Sequence, residues 1–252
     1  MDSYTEAIKN LYDITKIREY FNLSKFADFL CTEEAMPIPY ETISFKKNTY
    51  LLREMIHTGM VEDKRPDTEF IYIIESGIAT MEKDNIVLDI KASDDIIGFS
   101  DLFTFNSSNY SYKAISKVMT VLKFNKAHIV DKLLNTQKGN LYHYSYTLRE
   151  RQNMEFKESI RREKAESKVV LTMHHLLDKL NLLNSKKSDF CTIPPITVVT
   201  LANYVQLHVN TISRVLHNLM KLGVVKINNK KIFIHLKKWK PILSILRDSI
   251  NF

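Results

Sequence analysis

Hydrophobic residues recur at helical spacing between Ile196 and Leu222, in two short stretches separated by a break. Thr197 is a suitable N-cap for the first stretch, because its hydroxyl can accept a hydrogen bond from the first turn of a helix. The apolar residues of the first stretch are Leu201, Ala202 and Val205. After a break at residues 206–208, the apolar residues are Ile212, Val215, Leu216, Leu219 and Met220. The pattern predicts two short helices joined by a tight turn, each with one buried face.

The opposite face of the second predicted helix is polar. Its residues are Asn210, Ser213, Arg214, His217 and Lys221, at spacings that place them on one exposed surface. Amide, hydroxyl and cationic groups on a helix with a buried back are suited to reading base edges in a DNA major groove. An ordinary surface helix in a helical hairpin would show the same periodicity, so the residues that follow decide between that helix and a DNA-recognition helix.

A basic hairpin is predicted directly after these helices. Gly223 precedes two β-branched runs, residues 224–227 and 230–234, which flank Asn228 and Asn229. Asparagine tolerates the positive φ that a tight hairpin turn requires. The lysines near the tip are Lys226, Lys230 and Lys231. Two helices followed by a basic hairpin indicate a winged helix-turn-helix domain. The combined pattern is more specific than the helix pair or the hairpin alone.

The region from about residue 40 to residue 124 has the pattern of short strands. Runs rich in β-branched and aromatic residues lie at 42–45, 49–52, 70–74, 78–81, 86–90, 111–115 and 119–124. Many short strands separated by turn residues predict an all-β sandwich or barrel. Residues 4–35 are predicted as short helices before it, and residues 55–66 as a long charged loop within it.

Helical patterns link this β region to the winged helix-turn-helix. A short helix is predicted at residues 127–134, and a longer one at about 138–163. Leu141, Tyr144, Leu148 and Arg151 form a partial heptad seam on the longer helix, as in a short coiled coil. Residues 161–164 form a charged hinge, and residues 169–180 a clean amphipathic helix. A loop through 185–195 then leads into the helix-turn-helix, and a last short helix is predicted at 241–252.

Charge divides the 252-residue chain in two. Residues 164–252 hold 14 Lys or Arg and 4 Asp or Glu, a balance of +10. Residues 1–163 hold 22 basic and 25 acidic side chains, a balance of −3. This asymmetry suggests a regulatory or assembly module joined to a module that binds a polyanion, and the basic part is the one with the helix-turn-helix.

Other classes of protein find little support in the sequence. Cys31 and Cys191 have neither disulfide-framework nor zinc-site spacing, which favours a reducing cytosol and no metal or cofactor. No apolar run is long enough to cross a bilayer, and the N-terminus has no secretion signal, so we expect a cytoplasmic protein. A nucleotide-binding glycine loop, metal-spaced His/Glu set and nucleophile pair are all missing, so an enzyme is not expected.

A β-roll, a long helix and a winged helix-turn-helix, in that order, resemble the Crp/Fnr family of bacterial transcription regulators. Residues 71–77 are similar to the family's strand that ends at a turn glycine, and 46–51 to its "KKG" entry strand. Residues 93–98, with Leu102 and Phe103, look like its "GD-x-[IF]-G" turn. Residues 201–202 and 211–216 match its helix-turn-helix without a gap. The chain resembles members that lack the cyclic-nucleotide and iron–sulfur motifs.

This resemblance implies an α+β fold with three parts. Residues 1–135 would form a cupin-like β-roll sensor domain, similar to a cyclic-nucleotide-binding domain. Residues 136–165 would form the dimerisation helix and hinge, with Leu141, Tyr144 and Leu148 at the dimer interface. Residues 166–252 would form the winged helix-turn-helix DNA-binding domain.

The resemblance also implies DNA-contacting residues. The base readers would be Asn210, Ser213 and Arg214; an arginine fork can grip guanine O6 and N7 together, and an amide favours adenine. The phosphate contacts, which position the protein without reading sequence, would be Thr197, Thr211, His217, Lys221, Lys226, Lys230 and Lys231. The alternative for Arg214 is an ordinary surface ion pair.

Three departures from the family's pattern concern the helix-turn-helix. Gln206 stands at the usual turn glycine, so a residue with a side chain is expected at positive φ. Val198 and Val199 replace residues that commonly contact phosphate, and His208 replaces a hydroxyl N-cap before the second helix. Weak DNA binding is therefore expected until something orders the motif.

The sensor departs from the family as well. The Glu that follows the turn glycine and the Arg-Ser pair that hold a cyclic nucleotide are missing at residues 99–101 and 107–110, so cyclic AMP is not expected as effector. The iron–sulfur members need several N-terminal cysteines, and only Cys31 is present. Haem ligation by His57 is disfavoured, because a loop histidine is usually solvated. Cys31 is either a thiol sensor or a small buried hydrophobe.

We therefore expect a sequence-specific transcription regulator that acts as a homodimer on near-palindromic sites in double-stranded DNA. An unidentified effector would act at the β-roll, and RNA polymerase is a candidate further partner without a readable motif. The alternative is a winged-helix DNA binder without a promoter role, such as a replication initiator or a nucleoid-type protein. An enzyme with a DNA-tethering domain is a third class, and it lacks the motifs.

Overall fold

The computed structural model describes residues 24–32, 37–53, 69–102, 110–183, 189–193, 196–228 and 231–249. The helices are α1 (Ser24–Thr32), α2 (Lys126–Asn135), α3 (Gln137–Arg161), α4 (Ala165–Lys179), α5 (Val198–Val205), α6 (Val209–Lys221) and α7 (Leu236–Ser249). The first eight strands are β1 (Tyr40–Lys46), β2 (Tyr50–Leu52), β3 (Phe70–Ser76), β4 (Ala79–Lys83), β5 (Ile86–Lys91), β6 (Ile96–Ile97), β7 (Ser111–Ala114) and β8 (Val118–Asn125). Three more strands follow, β9 (Phe190–Ile193), β10 (Val225–Asn228) and β11 (Lys231–His235).

The first eight strands form two four-stranded antiparallel sheets, with the orders β1-β8-β3-β6 and β2-β7-β4-β5. Alternate apolar side chains fill the space between them, including Leu51, Tyr72, Ile74 and Val121. All seven predicted strands are confirmed. The short β6 was not predicted, because its two isoleucines lie inside the segment interpreted as a turn motif.

A second apolar core covers the outer face of the sheet that contains β3 and β8. Phe26 and Phe29 of α1 pack there on Tyr142 of α3, with ring centroids 5.1 and 5.0 Å from the tyrosine ring. The buried Lys132 of α2 donates hydrogen bonds to the carbonyl oxygens of Phe29 and Leu30, at 2.6 and 3.3 Å. A cation is well placed at these carbonyls, because the last turn of a helix has unpaired acceptors and a partial negative charge.

The helices after the sheets follow the prediction. Helix α2 is capped by Asn125, whose side chain accepts hydrogen bonds from the amides of Ala127 and His128. Helix α3 ends at Arg161 and α4 begins at Ala165, so the break between them falls at the predicted charged junction.

The C-terminal part combines α4 to α7 with a three-stranded sheet of order β10-β11-β9. Its core contains the buried Val169, Met173, Leu176 and Leu177 of α4, as predicted, whereas Leu180, predicted with them, is only partly buried against this core. Strand β9 was predicted as a loop. It pairs with β11 from Phe190 opposite His235 to Ile193 opposite Ile232. Because β11 lies about 40 residues further along the chain, no local sequence pattern indicates this pairing.

The last helix begins earlier than predicted. We expected it at Pro241, whereas α7 begins at Leu236 and contains Pro241 near its start. The fixed φ of proline suits the first turn of a helix, which made residue 241 a natural beginning. Burial of Trp239, only 1 % exposed, and the hydrogen bond from the Leu236 amide to the Asp189 carbonyl fix the earlier start.

The β-roll and the C-terminal part share one apolar core. Ile78, Val87, Ile90 and Ala92 of the β-roll belong to the same buried cluster as the core residues of α4, α5 and α6. Helix α5, the first of the helix-turn-helix, packs on β5. A change in the β-roll can therefore reach the helix-turn-helix through direct packing.

Candidate nucleic-acid interface and its link to the β-roll

The first helix of the helix-turn-helix forms as predicted. The Thr197 hydroxyl accepts a hydrogen bond from the amide of Thr200 at 3.1 Å, which confirms the N-cap. Leu201, Ala202 and Val205 are buried. The Thr197 hydroxyl also lies 3.0 Å from the Thr200 hydroxyl. A hydrogen bond from Thr197 to a DNA phosphate would therefore use the same hydroxyl group that caps the helix.

The turn between the two helices is strained at Gln206. Its φ of 56° and ψ of 46° are left-handed, as expected for a residue at the usual glycine position. The amide of Leu207 closes the turn by donating to the Ala202 carbonyl at 3.0 Å. A side chain in this conformation costs about 1–2 kcal/mol, so the surrounding packing enforces the turn.

His208 caps the second helix through its ring. Its Nδ1 accepts a hydrogen bond from the amide of Asn210 at 3.2 Å, a role that needs an unprotonated Nδ1. The sequence predicted a weakened cap because the usual hydroxyl is replaced. The imidazole supplies an acceptor where that hydroxyl would stand.

Helix α6 has the predicted buried back, with one exception. Ile212, Val215, Leu216 and Leu219 are all buried, whereas Met220, predicted to be buried, is 38 % exposed. At 3.6 residues per turn, Met220 lies about a quarter of a turn from the centre of the apolar stripe. It therefore sits at the edge of the packed face.

The polar face of α6 is open. Its exposed residues are Asn210, Ser213, Arg214, His217 and Lys221, and Thr211 beside them is half-buried. Arg214 makes no ion pair with a carboxylate of the described residues, so the alternative of an ordinary surface ion pair finds no partner there. Amide, hydroxyl and cationic groups thus share one solvent-facing helix surface.

The wing follows α6, and its strand β10 packs on that helix. Strands β10 and β11 pair in antiparallel register from Val225 with Ile234 to Asn228 with Lys231. Lys226 and Lys231 are exposed on this hairpin. Lys230 lies outside the described residues. The predicted base-reading residues therefore share one helix face, and two of the three wing lysines lie on the hairpin that follows it.

A buried network of charges, which sequence reasoning missed, joins this interface to the β-roll. Asp89 of β5 is 3.0 Å from Lys91, 3.2 Å from Lys179 of α4 and 3.7 Å from Lys157 of α3. The side chains of Asp89, Lys91 and Lys179 are 3 %, 2 % and 6 % exposed. The Tyr204 hydroxyl of α5 donates to Asp89 at 3.5 Å. One carboxylate thus contacts groups from the β-roll, both connecting helices and the helix-turn-helix.

Further pairs extend the network along α3. Lys91 is 2.9 Å from Glu150, and Arg149 is 2.7 Å from Asp95, which also lies 3.5 Å from Lys179. The sequence signal was present but weak, since Asp89 and Lys91 are opposite charges two residues apart in an otherwise apolar strand. That spacing places both on one face, but nothing local identifies their partners.

The ionisation of the network follows from these contacts. Burial by itself would raise the pKa of Asp89, but Lys179, Lys91 and Lys157 hold that pKa well below its usual value. Burial would likewise lower the pKa of Lys91, which Asp89 and other nearby groups hold well above its usual value. Both groups are therefore charged at neutral pH, and each depends on the other to remain so.

Aromatic packing occupies the region after the turn at Gly98. Gly98 has φ 85°, and the Phe99 ring that follows lies 4.1 Å from the ring of Tyr146 and 5.8 Å from that of His143 on α3. Two turns of the β-roll also use non-glycine residues at positive φ. Asn48, at 68°, stands at the glycine of the "KKG" pattern, and Asp94, at 69°, stands at the glycine of the "GD" pattern.

The candidate thiol and haem-ligand residues named from the sequence, Cys31 and His57, find little support in the β-roll. Cys31 is half-buried, and burial raises the pKa of its thiol, which lowers the share of reactive thiolate. His57 and residues 107–109 lie outside the described residues. Among the described side chains, none of the His, Cys, Asp and Glu residues forms a group of three that could hold a metal ion.

Solved structures share this arrangement. FixK2 from Bradyrhizobium japonicum matches with a TM-score of 0.65 and 15 % identity, over 81 % of this chain and 97 % of that one. The Crp/Fnr family regulator TTHA1359 from Thermus thermophilus matches with a TM-score of 0.58 and 17 % identity, over 81 % of this chain and 98 % of that one. The chain has the Crp/Fnr fold. A cyclic nucleotide-binding domain containing protein from Listeria monocytogenes matches with a TM-score of 0.63 and 12 % identity, over 86 % and 98 % of the two chains.

The sequence itself matches no protein-family model and no curated protein. The α+β architecture of the Crp/Fnr fold, with an N-terminal β-roll and a C-terminal winged helix-turn-helix, agrees with the sequence prediction. Not one of the helices in the described ranges has the length and apolar character needed to cross a membrane.

Proposed function

We propose that this protein is a sequence-specific, DNA-binding transcription regulator. The observation that carries the proposal is the open polar face of α6. It has a buried apolar back, an exposed arginine without a described ion-pair partner, and a basic hairpin beside it. A helix of this kind enters a major groove with its polar face toward the bases. Its place in a Crp/Fnr fold supports the same conclusion.

The side chains of this surface fall into two groups, those that contact base edges and those that contact the phosphate backbone. We assign base reading to Asn210, Ser213 and Arg214, near the start of α6, where a recognition helix approaches the bases. We assign phosphate contacts to Thr197, Thr211, His217, Lys221, Lys226, Lys230 and Lys231. Phosphate contacts fix the register of the protein on the duplex without reading sequence.

Dimerisation through α3 would complete the binding unit. Tyr144 on this helix is 56 % exposed. The partly exposed Leu141 and Leu148 lie three residues before it and four residues after it, so the three side chains share one face of the helix as a seam. Two copies paired along this seam would present two α6 helices to a near-palindromic site.

Regulation follows from the connectivity. We propose a sensor domain at residues 1–135, a dimerisation helix and hinge at 136–165, and a DNA-binding domain at 166–252. The network around Asp89 connects all three parts, so a change in the sensor can alter the position of α5 and α6. No enzymatic activity is proposed.

Substitution of Arg214 tests the base-reading assignment. Arg214→Ala should reduce the preference for the bound sequence over unrelated DNA by about 1–3 kcal/mol per half-site, because one bidentate base contact is lost. Arg53→Ala, which removes another exposed arginine on the β-roll, is the matched control and should leave binding unchanged. Footprinting that shows undiminished specificity for Arg214→Ala would contradict the assignment.

A further inference from the structure

A cavity lies between the β-roll and the DNA-binding part. Its volume is about 560 Å³, within the range of about 300–1,000 Å³ that is usual for small-molecule sites. Three regions line it, namely β-roll turns that contain Gly77, Ser93 and Ser116, the end of α4 at Leu180 to Leu182, and Lys231 of the wing. Any occupant would touch both parts of the protein.

The floor of the cavity is apolar and tightly held. Ile78 and Ala92 are 6 % and 5 % exposed and belong to the shared core. The backbone fixes this floor, because the Ile115 amide donates to the Ile78 carbonyl at 2.9 Å and the Ile78 amide donates to the Ser116 hydroxyl at 3.0 Å. Gly77, at φ 99°, permits this geometry, since a Cβ there would lie 2.8 Å from the Cα of Met119.

The rim of the cavity is cationic. Lys47, Lys117 and Lys231 are exposed lining residues, and none of them pairs with a carboxylate among the described residues. The Lys47 amide donates to the Lys117 carbonyl at 3.3 Å, which holds two of the lysine-bearing turns side by side. Lys179 also lines the cavity but is held by Asp89 and Asp95. Asp94 is the one lining carboxylate within the described ranges.

We propose that this cavity binds a small anionic molecule with an apolar body, such as a carboxylate or phosphate ester on an aliphatic or aromatic group. The apolar part would rest on Ile78, Ala92 and Ile115, and the anion would lie between Lys47, Lys117 and Lys231. Apolar walls with a few convergent polar groups are the usual composition of a ligand site. Three cations without carboxylate partners set the sign of the ligand's charge.

Occupancy would weaken DNA binding, a consequence that rests on the proposed function. Lys231 is assigned both to the cavity and to a DNA phosphate, and one ammonium group cannot fully serve both. A bound anion would draw Lys231 toward the β-roll and fix the wing against it. The ligand therefore acts as an inducer that releases DNA.

Binding is tested on the full chain with 8-anilinonaphthalene-1-sulfonate, an aromatic anion whose fluorescence rises in apolar sites. We expect one saturable site, with affinity about tenfold lower in Lys47→Glu/Lys117→Glu. The matched control, Lys25→Glu/Lys83→Glu, reverses two exposed lysines outside the cavity and should bind as the wild type does. Equal binding by both double variants, or equally tight binding of the neutral N-phenyl-1-naphthylamine, would overturn the proposal.

Hydrogen exchange locates the probe, because dyes of this kind also bind other apolar surfaces. Bound probe should slow exchange in segments 115–118 and 180–183, and protection confined to other segments would overturn the cavity as the site. Saturating probe should then lower affinity for the selected DNA by about threefold or more. An unchanged DNA affinity would refute the inducer role, whereas a protein that bound no DNA at all would refute the proposed function and leave the ligand site standing.

Discussion

Asp89→Asn is the substitution that tests most sharply whether the buried network stabilises the packing of the β-roll on the C-terminal part. Asparagine keeps nearly the same shape and removes the charge. Lys91 and Lys179, which are 2 % and 6 % exposed, then lose their shared carboxylate at 3.0 and 3.2 Å. The change therefore leaves two buried ammonium groups under-compensated.

The expected cost follows from the partners that remain. Removal of one member of a buried ion pair costs about 3–5 kcal/mol. Lys91 retains Glu150 at 2.9 Å and Lys179 retains Asp95 at 3.5 Å, so we expect the lower end of that range. About 3 kcal/mol corresponds to a fall in Tm of roughly 6–12 °C in a protein of this size.

Thermal and urea unfolding of the purified variants provide the measurement. Glu41→Gln is the matched control, since Glu41 pairs with Lys123 at 3.3 Å but its side chain is 69 % exposed. Its loss should cost less than about 1 kcal/mol. Combination of Asp89→Asn with Lys179→Met should show a coupling energy above about 1 kcal/mol. A loss for Asp89→Asn as small as that of Glu41→Gln would refute a stabilising network.

Three other substitutions test separate parts of the account. Tyr144→Asp should shift the protein toward monomers in analytical ultracentrifugation, while Tyr40→Asp, at a similar exposure of 50 % on β1, should not. The same sedimentation for both variants would contradict a dimer interface at the seam. Gln206→Gly should raise the free energy of unfolding by about 0.5–1 kcal/mol, because glycine adopts the left-handed turn without strain, and a loss of stability would contradict that reading. Burial, and then Lys179 and Lys157, lower the pKa of His175 to about 4. As the pH falls, His175 is therefore protonated at a higher pH in the unfolded chain than in the folded protein, so the free energy of unfolding should fall by up to about 3 kcal/mol between pH 6.5 and pH 4. His175→Leu should flatten that part of the pH profile measured by urea unfolding, and an unchanged slope would show that His175 is not responsible.

The parts of the fold that could be predicted are those with local, periodic signals. Helix α6 was predicted because Ile212, Val215, Leu216 and Leu219 repeat at helical spacing, and the strands because short runs are rich in β-branched and aromatic residues. The left-handed turn at Gln206 was implied by the resemblance, in which this position is the usual turn glycine. These features depend on residues within a few positions of one another.

The parts that could not be predicted depend on distant partners. Strand β9 exists because Phe190 to Ile193 pair with β11, and its own four residues carry no distinctive pattern. The partners of Asp89 come from positions up to 115 residues away, and a charge in a strand does not indicate which helix will cover it. The cavity beside Gly77 arises where turns of the β-roll meet α4 and the wing, so no single segment reveals it.

The most direct test of the central claim is selection of bound genomic fragments by the purified full-length protein, at one stated salt concentration. We expect one motif with two half-sites about one helical turn of DNA apart, and a preference for that motif that Arg214→Ala weakens by about 1–3 kcal/mol per half-site. Salt-sensitive binding without any preferred motif, in the purified protein and again after addition of cell extract, would contradict sequence-specific recognition by α6.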